Sequence, residues 1–120
     1  MHSFILQDWI TVRGGVATMS QAESGWLDLS DYQDAVFWLE AKEALGSPTL
    51  YIQTAPTKDE SLFSNIQSQL IAATGGLYTL KVLMATANLP ISRWVRWSIT
   101  GTATWDSTFR VLVAANAPGM

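Results

Sequence analysis

Cysteine is absent from this 120-residue chain. Disulfide frameworks, thiolate metal sites and cysteine nucleophiles are thereby excluded. Histidine occurs once, as His2, which removes histidine-based triads and histidine-rich metal sites. So close to the start, His2 reads as a mobile terminal residue. Charge is scarce as well: charged residues are 14% of the chain, seven basic against ten acidic. Phosphate backbones are held by clustered Lys and Arg, so a net charge of -3 argues against a nucleic-acid partner. Long apolar runs are missing. None approaches the roughly 20 residues of a membrane span, and no membrane partner is expected. The segment Phe4 to Val12 is interrupted by Asp8 and has no basic region before it, so it does not read as a secretory leader. Synthesis and folding in the cytoplasm are the expectation.

What the chain does have is alternation. Arg93 to Ala115 reads as two long strands joined by a Gly-containing connection. Val95, Trp97 and Ile99 share a face of the first, and Phe109, Val111 and Val113 share a face of the second. Successive strand side chains point to opposite faces, so each strand buries one side. Arg93, Arg96 and Ser98 are left for solvent or a partner. As a simple hairpin the two strands would set Trp97 against Phe109, a cross-strand pair worth roughly 0.2–1 kcal/mol.

Earlier segments follow the same pattern. Phe4, Leu6, Ile10 and Val12 line one face of a first strand, with Asp8 as a break. Arg13-Gly14-Gly15 is a turn, and Val16 to Met19 a short second strand. Ala35 to Ala44 places Ala35, Phe37, Leu39 and Ala41 on one face and Val36, Trp38, Glu40 and Lys42 on the other. Its Ala, Leu, Glu and Lys also suit a helix, but the Val-Phe-Trp run favours a strand. Thr49 to Thr54 is a compact strand with Leu50 and Ile52 inward. Thr57 and Glu60 have capping-box spacing for a helical turn. A strand near Ile66 to Ala72 and another from Leu77 to Ala85 follow, the latter with Tyr78, Leu80, Val82 and Met84 on one face. Ala87 to Ile91 is a connection in which Pro90 stops a ladder. Ala117 to Met120 is a tail.

Seven to nine short strands with turn signals every 8–12 residues, roughly, predict an all-β fold. The expectation is a single-domain antiparallel β-sandwich over residues 1–120, jelly-roll or galactose-binding-like. At 48% hydrophobic residues, a chain of this length builds a core without staples.

Chemistry finds little footing. Asp28, Asp31 and Asp34 recur at spacing three around a turn, but calcium loops need a different pattern, and turn or cap aspartates are the ordinary reading. Asp28 and Glu40 are the carboxylates to name for a hydrolase, and nothing in the sequence places them together. Gly14-Gly15 and Gly75-Gly76 lack a phosphate-loop pattern. No catalytic residue, cofactor or metal site is assigned. Arg93, Arg96 and Arg110 are the basic concentration. With Trp94 and Trp105 they form either a stacking platform for sugars or bases or an arginine ladder paired with acids. Arginine and aromatics are also enriched at protein interfaces. Trp38, Arg93, Trp94, Arg96, Trp105 and Arg110 are therefore the candidate docking residues.

The segments GWLDLSDYQDAVFWLEAKEA (from Gly25), PTLYIQTAPTKDESLF (from Pro48) and RWVRWSITGTATWDSTFRVLVAANAP (from Arg93) resemble small β-sandwich proteins encoded with tailed phages and related bacterial particles. The likeness spans Gly25 to Pro118 and extends to galactose-binding-like and jelly-roll sandwiches generally. The resemblance implies a virion structural protein, a capsid decoration or head/tail accessory, made in the host cytoplasm. Its partners would be the major capsid protein or other virion proteins, in a multi-copy assembly or homo-oligomer. It carries over no site residue. The alternative is a carbohydrate-binding module or a tail accessory for host attachment, on the strength of the surplus aromatics.

Overall fold

Alternating apolar positions become nine strands in the computed structural model, which describes residues 2–83 and 91–116. They are β1 His2–Gly14, β2 Met19–Ser20, β3 Leu27–Asp28, β4 Asp34–Leu45, β5 Thr49–Ala55, β6 Ser64–Leu70, β7 Gly76–Val82, β8 Trp94–Thr100 and β9 Trp105–Asn116. Two sheets face each other. The front sheet has the order β1-β9-β4-β7 and the back sheet β2-β8-β5-β6, with β3 also paired to β8. All pairings are antiparallel. Each sheet draws strands from both halves of the chain, which is the strand order of a jelly roll. The all-β sandwich expected from the sequence is the fold observed.

The core lies between the sheets. Phe37 and Leu39 of β4, Leu50 and Ile52 of β5, Val95 and Ile99 of β8, and Phe109, Val111 and Val113 of β9 are all buried there. Each such side chain stabilises the fold by about 1.5–3 kcal/mol relative to exposure. In β4 the inward set Ala35, Phe37, Leu39 and Ala41 is as the alternation predicts. A bulge between Ala41 and Glu43 then shifts the phase, so Ala44 turns inward and Lys42 and Glu43 stay outside. Helix propensity loses here because a helix would scatter the four apolar side chains that the strand places on one face.

Several expectations need correction. β8 and β9 are not a hairpin: they belong to opposite sheets, β8 beside β5 and β9 between β1 and β4. Trp97 and Phe109 do meet, edge to face with centroids 5.1 Å apart, but across the core. His2 is no loose end. It pairs with Ala115 in the β1–β9 ladder and its ring lies 5.5 Å from that of Tyr32. The second strand is Met19–Ser20, later than Val16 to Met19. The turn at Glu60–Leu62 is capped by Asp59, whose carboxylate accepts the Ser61 N–H, in place of Thr57. Met84, Pro90 and the tail lie outside the described residues.

Trp105 is 1% exposed and closes one end of the sandwich. Its indole N–H donates to the Gly15 carbonyl at 2.8 Å. A Cβ on Gly14 would sit 2.7 Å from its ring, and one on Gly101 would overlap it. Those positions lack side chains because the indole fills the space.

Candidate functional site

The six candidate docking residues fall into three places. Trp38 and Arg110 lie on the outer face of the front sheet. Arg93 and Trp94 lie at the back sheet, with Arg96 beneath covering loops. Trp105 is inside. Trp105 is therefore removed as a docking residue: it starts the inward register of Ser107, Phe109, Val111 and Val113.

On the front sheet, Trp38 is register partner of Leu112 on β9, which in turn pairs with Ile5 of β1. These three point away from the core because they alternate with buried neighbours: Phe37 and Leu39, Val111 and Val113, Leu6. Ile5 is 62% exposed. Together with Ser3, Phe4, Val113 and Ala114 they line a shallow apolar concavity of about 490 Å³. One flank of it is charged. Arg110 donates from Nη2 and Nε to a single Glu40 carboxylate oxygen, at 2.7 and 3.0 Å. The Trp9 ring has Arg110 at 5.0 Å and Lys42 at 4.7 Å. Half-exposed pairs of this kind add little stability, about 0–1 kcal/mol, but they fix the Trp9 ring. Trp38 has no cation or ring partner among the described residues. Its ring is open toward the concavity.

On the back sheet, Arg96 is 6% exposed. Its Nε donates to Gln53 Oε1 at 2.8 Å and its Nη1 to Glu60 Oε1 at 3.5 Å. Its guanidinium packs 4.1 Å from the Phe63 ring centroid and 5.4 Å from that of Trp26. Phe63 and Trp26 meet edge to face at 4.7 Å. Arg96 is thus a pillar under two loop aromatics and is removed from the docking set. Its strand register does point outward, but the segments carrying Trp26 and Phe63 fold over it. Arg93 and Lys58 flank Trp94, at 5.2 and 4.5 Å from its ring.

Beside this cluster opens a polar concavity of about 410 Å³, lined by Thr18, Ser20, Glu23, Trp26, Lys58 and Glu60 among others. The Trp26 indole N–H donates to the Gln21 carbonyl at 2.9 Å, fixing the ring.

The carboxylates are not brought together. Asp28 sits on β3 of the back sheet and Glu40 on β4 of the front sheet. Asp28 accepts from the Ser30 N–H at 3.0 Å and pairs with Arg93 at 3.3 Å. The Ser30 N–H above all, with help from the Arg93 guanidinium, holds its carboxyl below the usual carboxylate range. Among the described residues no three His, Cys, Asp or Glu side chains converge as metal ligands.

Sequence reading missed Ile5, Trp9 and Leu112 on the front face. The signal was present for two of them: Ile5 falls between Phe4 and Leu6, and Leu112 between Val111 and Val113, each out of phase with the core. Nothing local marks Lys58 as a neighbour of Glu23 and Trp26, because it comes from a segment far from their shared turn.

No family model and no curated protein sequence matches the chain. Solved structures do. The infectious bursal disease virus VP2 subviral particle matches with a TM-score of 0.55 at 9% identity, over 98% of this chain and 33% of that one. The K1 cleaved adhesin domain of Lys-gingipain from Porphyromonas gingivalis W83 matches with a TM-score of 0.51 at 16% identity, over 97% of this chain and 98% of that one. The T13 infectious bursal disease virus particle matches with a TM-score of 0.50 at 11% identity, covering 98% of this chain and 31% of that one. The chain spans about a third of the length of the viral proteins it matches. At these identities the likeness is one of fold.

Proposed function

We propose that the protein is a non-enzymatic structural component of a phage or phage-like particle, a capsid decoration protein held in many copies on the coat. The outer face of the front sheet is its docking surface. One observation carries this: among the described residues Trp38 stands without a ring or cation partner, in an apolar concavity walled by Ile5, Leu112 and Ala114, beside a fixed Arg110–Glu40 pair. An apolar centre with a polar rim is the anatomy of a protein interface, and a tryptophan at such a centre is a usual anchor. The coat protein would insert an apolar side chain beside Trp38. Repetition over the particle multiplies a modest single contact. Jelly rolls serve many functions, so the fold likeness to proteins of viral particles supports this assignment without deciding it.

Quantitative mass spectrometry of particles purified from cells carrying this gene tests it. The expected result is a high copy number in fixed ratio to the coat protein. Absence from the particle fraction, with the protein abundant in unassembled lysate, would overturn the proposal.

A further inference from the structure

We infer that the polar concavity on the back-sheet side, between β2 and the Glu60–Leu62 turn, is a binding site for a neutral carbohydrate. It does not rest on the docking role of the front sheet, which lies on the opposite side of the sandwich. At about 410 Å³ it lies within the usual range for small-ligand sites, about 300–1,000 Å³.

Its lining has the chemistry of sugar recognition. Trp26 supplies a flat apolar surface, held in place by its N–H bond to the Gln21 carbonyl and by edge contact with Phe63. The C–H face of a pyranose ring packs on such a surface, and a ring already fixed loses little freedom on binding. Around it stand groups that donate and groups that accept. The Glu23 backbone carbonyl accepts the Trp26 N–H at 3.1 Å, but its carboxylate has no hydrogen bond or ion pair with the described residues. The Glu60 side chain is 76% exposed and gives one oxygen to Arg96. Among the described residues the Lys58 ammonium has no ion-pair partner, and it rests against Trp94. Thr18 and Ser20 add hydroxyls. Sugar hydroxyls both donate and accept, so a mixed lining satisfies them where a purely basic or acidic one would not.

Charge selects within the class. Glu60 is paired with Arg96 and Glu23 offsets Lys58, so the lining carries no surplus positive charge to attract uronic acids or sulfated sugars. On a copy docked through its front sheet, this side faces away from the particle, where a surface glycan can reach it.

The test is an NMR titration of the 15N-labelled full chain, following the six tryptophan indole N–H signals, with Trp26 assigned through Trp26→Phe. The probes are the methyl glycosides of glucose, galactose and mannose, N-acetylglucosamine, and glucuronic acid. The expected result is a saturable shift of the Trp26 signal with at least one neutral probe and no shift of Trp38. Glu23→Gln leaves the fold intact and should weaken that binding about tenfold, as loss of a charge-assisted hydrogen bond does. No Trp26 shift with any neutral probe would overturn the inference. So would undiminished binding in Glu23→Gln, or tighter binding of glucuronic acid.

Discussion

Replacing Arg96 by Ala separates an architectural arginine from a docking one. Three interactions are lost. The Nε–Gln53 bond at 2.8 Å involves a charged donor, and such bonds contribute about 1.5–3 kcal/mol. Packing on Phe63 and Trp26 adds about 0.5–2 kcal/mol. The Glu60 partner is 76% exposed, so that ion pair adds about 0–1 kcal/mol. Release of a desolvated guanidinium offsets part of the loss. The net expectation is about 2–4 kcal/mol of destabilisation, a fall in Tm of roughly 6–20 °C for a domain of this size. Urea unfolding followed by tryptophan fluorescence measures it, with an unchanged m-value required. Glu60→Gln should cost less than about 1 kcal/mol. Arg96→Lys should recover less than half, because an ammonium neither stacks as a plane nor donates from Nε. An Arg96→Ala variant within about 0.5 kcal/mol of the parent would refute the pillar role.

Three further outcomes follow from the packing. Gly101→Ala drives a methyl group into the Trp105 ring and should cost about 1–3 kcal/mol by overpacking, read as a lowered urea midpoint. Gln21→Ala should cost about 2–4 kcal/mol: its buried amide donates to the Leu6 and Gly25 carbonyls and accepts the Trp97 N–H, and each orphaned group costs about 1–3 kcal/mol. Asp28 titrates below its ordinary value of 3.8 in the folded state. The unfolded chain therefore binds its proton first as pH falls, and the carboxylate stabilises the fold fully above that ordinary value and progressively less below it. Asp28→Asn should be less stable than the parent near neutral pH, and the gap should close under acid, measured by urea unfolding at stepped pH.

The strands of this fold were legible because burial writes period two into the sequence. Ala35, Phe37, Leu39 and Ala41 marked β4, and Leu50 and Ile52 marked β5. Pairing was not legible. A Gly-containing connection between two apolar strands has the local look of a hairpin, yet β8 and β9 separate because each finds its partners far away in sequence. Trp97 and Phe109 meet either way, so the contact could not reveal the topology. Trp105 was misplaced although its parity with Phe109 and Val111 puts it inward; the polar GTATWDS context hid that. Arg96 could not be read at all, since its burial depends on loops whose course no local pattern encodes. Half of the candidate surface was thus within reach: Trp38 and Arg110 were named, while Ile5 and Leu112 needed the register to show that they share its face.

Attachment of a Trp38→Ala variant to particles tests the docking surface most directly. Purified particles lacking the protein would be incubated with parent, Trp38→Ala or Trp94→Ala protein, and bound copies counted by quantitative mass spectrometry. Trp38 lies on the outer face, so its truncation leaves the core intact, and an anchor residue is worth at least about 2 kcal/mol. Docking through the front sheet requires that Trp38→Ala weaken binding roughly 30-fold with an unchanged Tm, and that Trp94→Ala bind as the parent does. Full occupancy by Trp38→Ala, or loss of binding by Trp94→Ala instead, would contradict it.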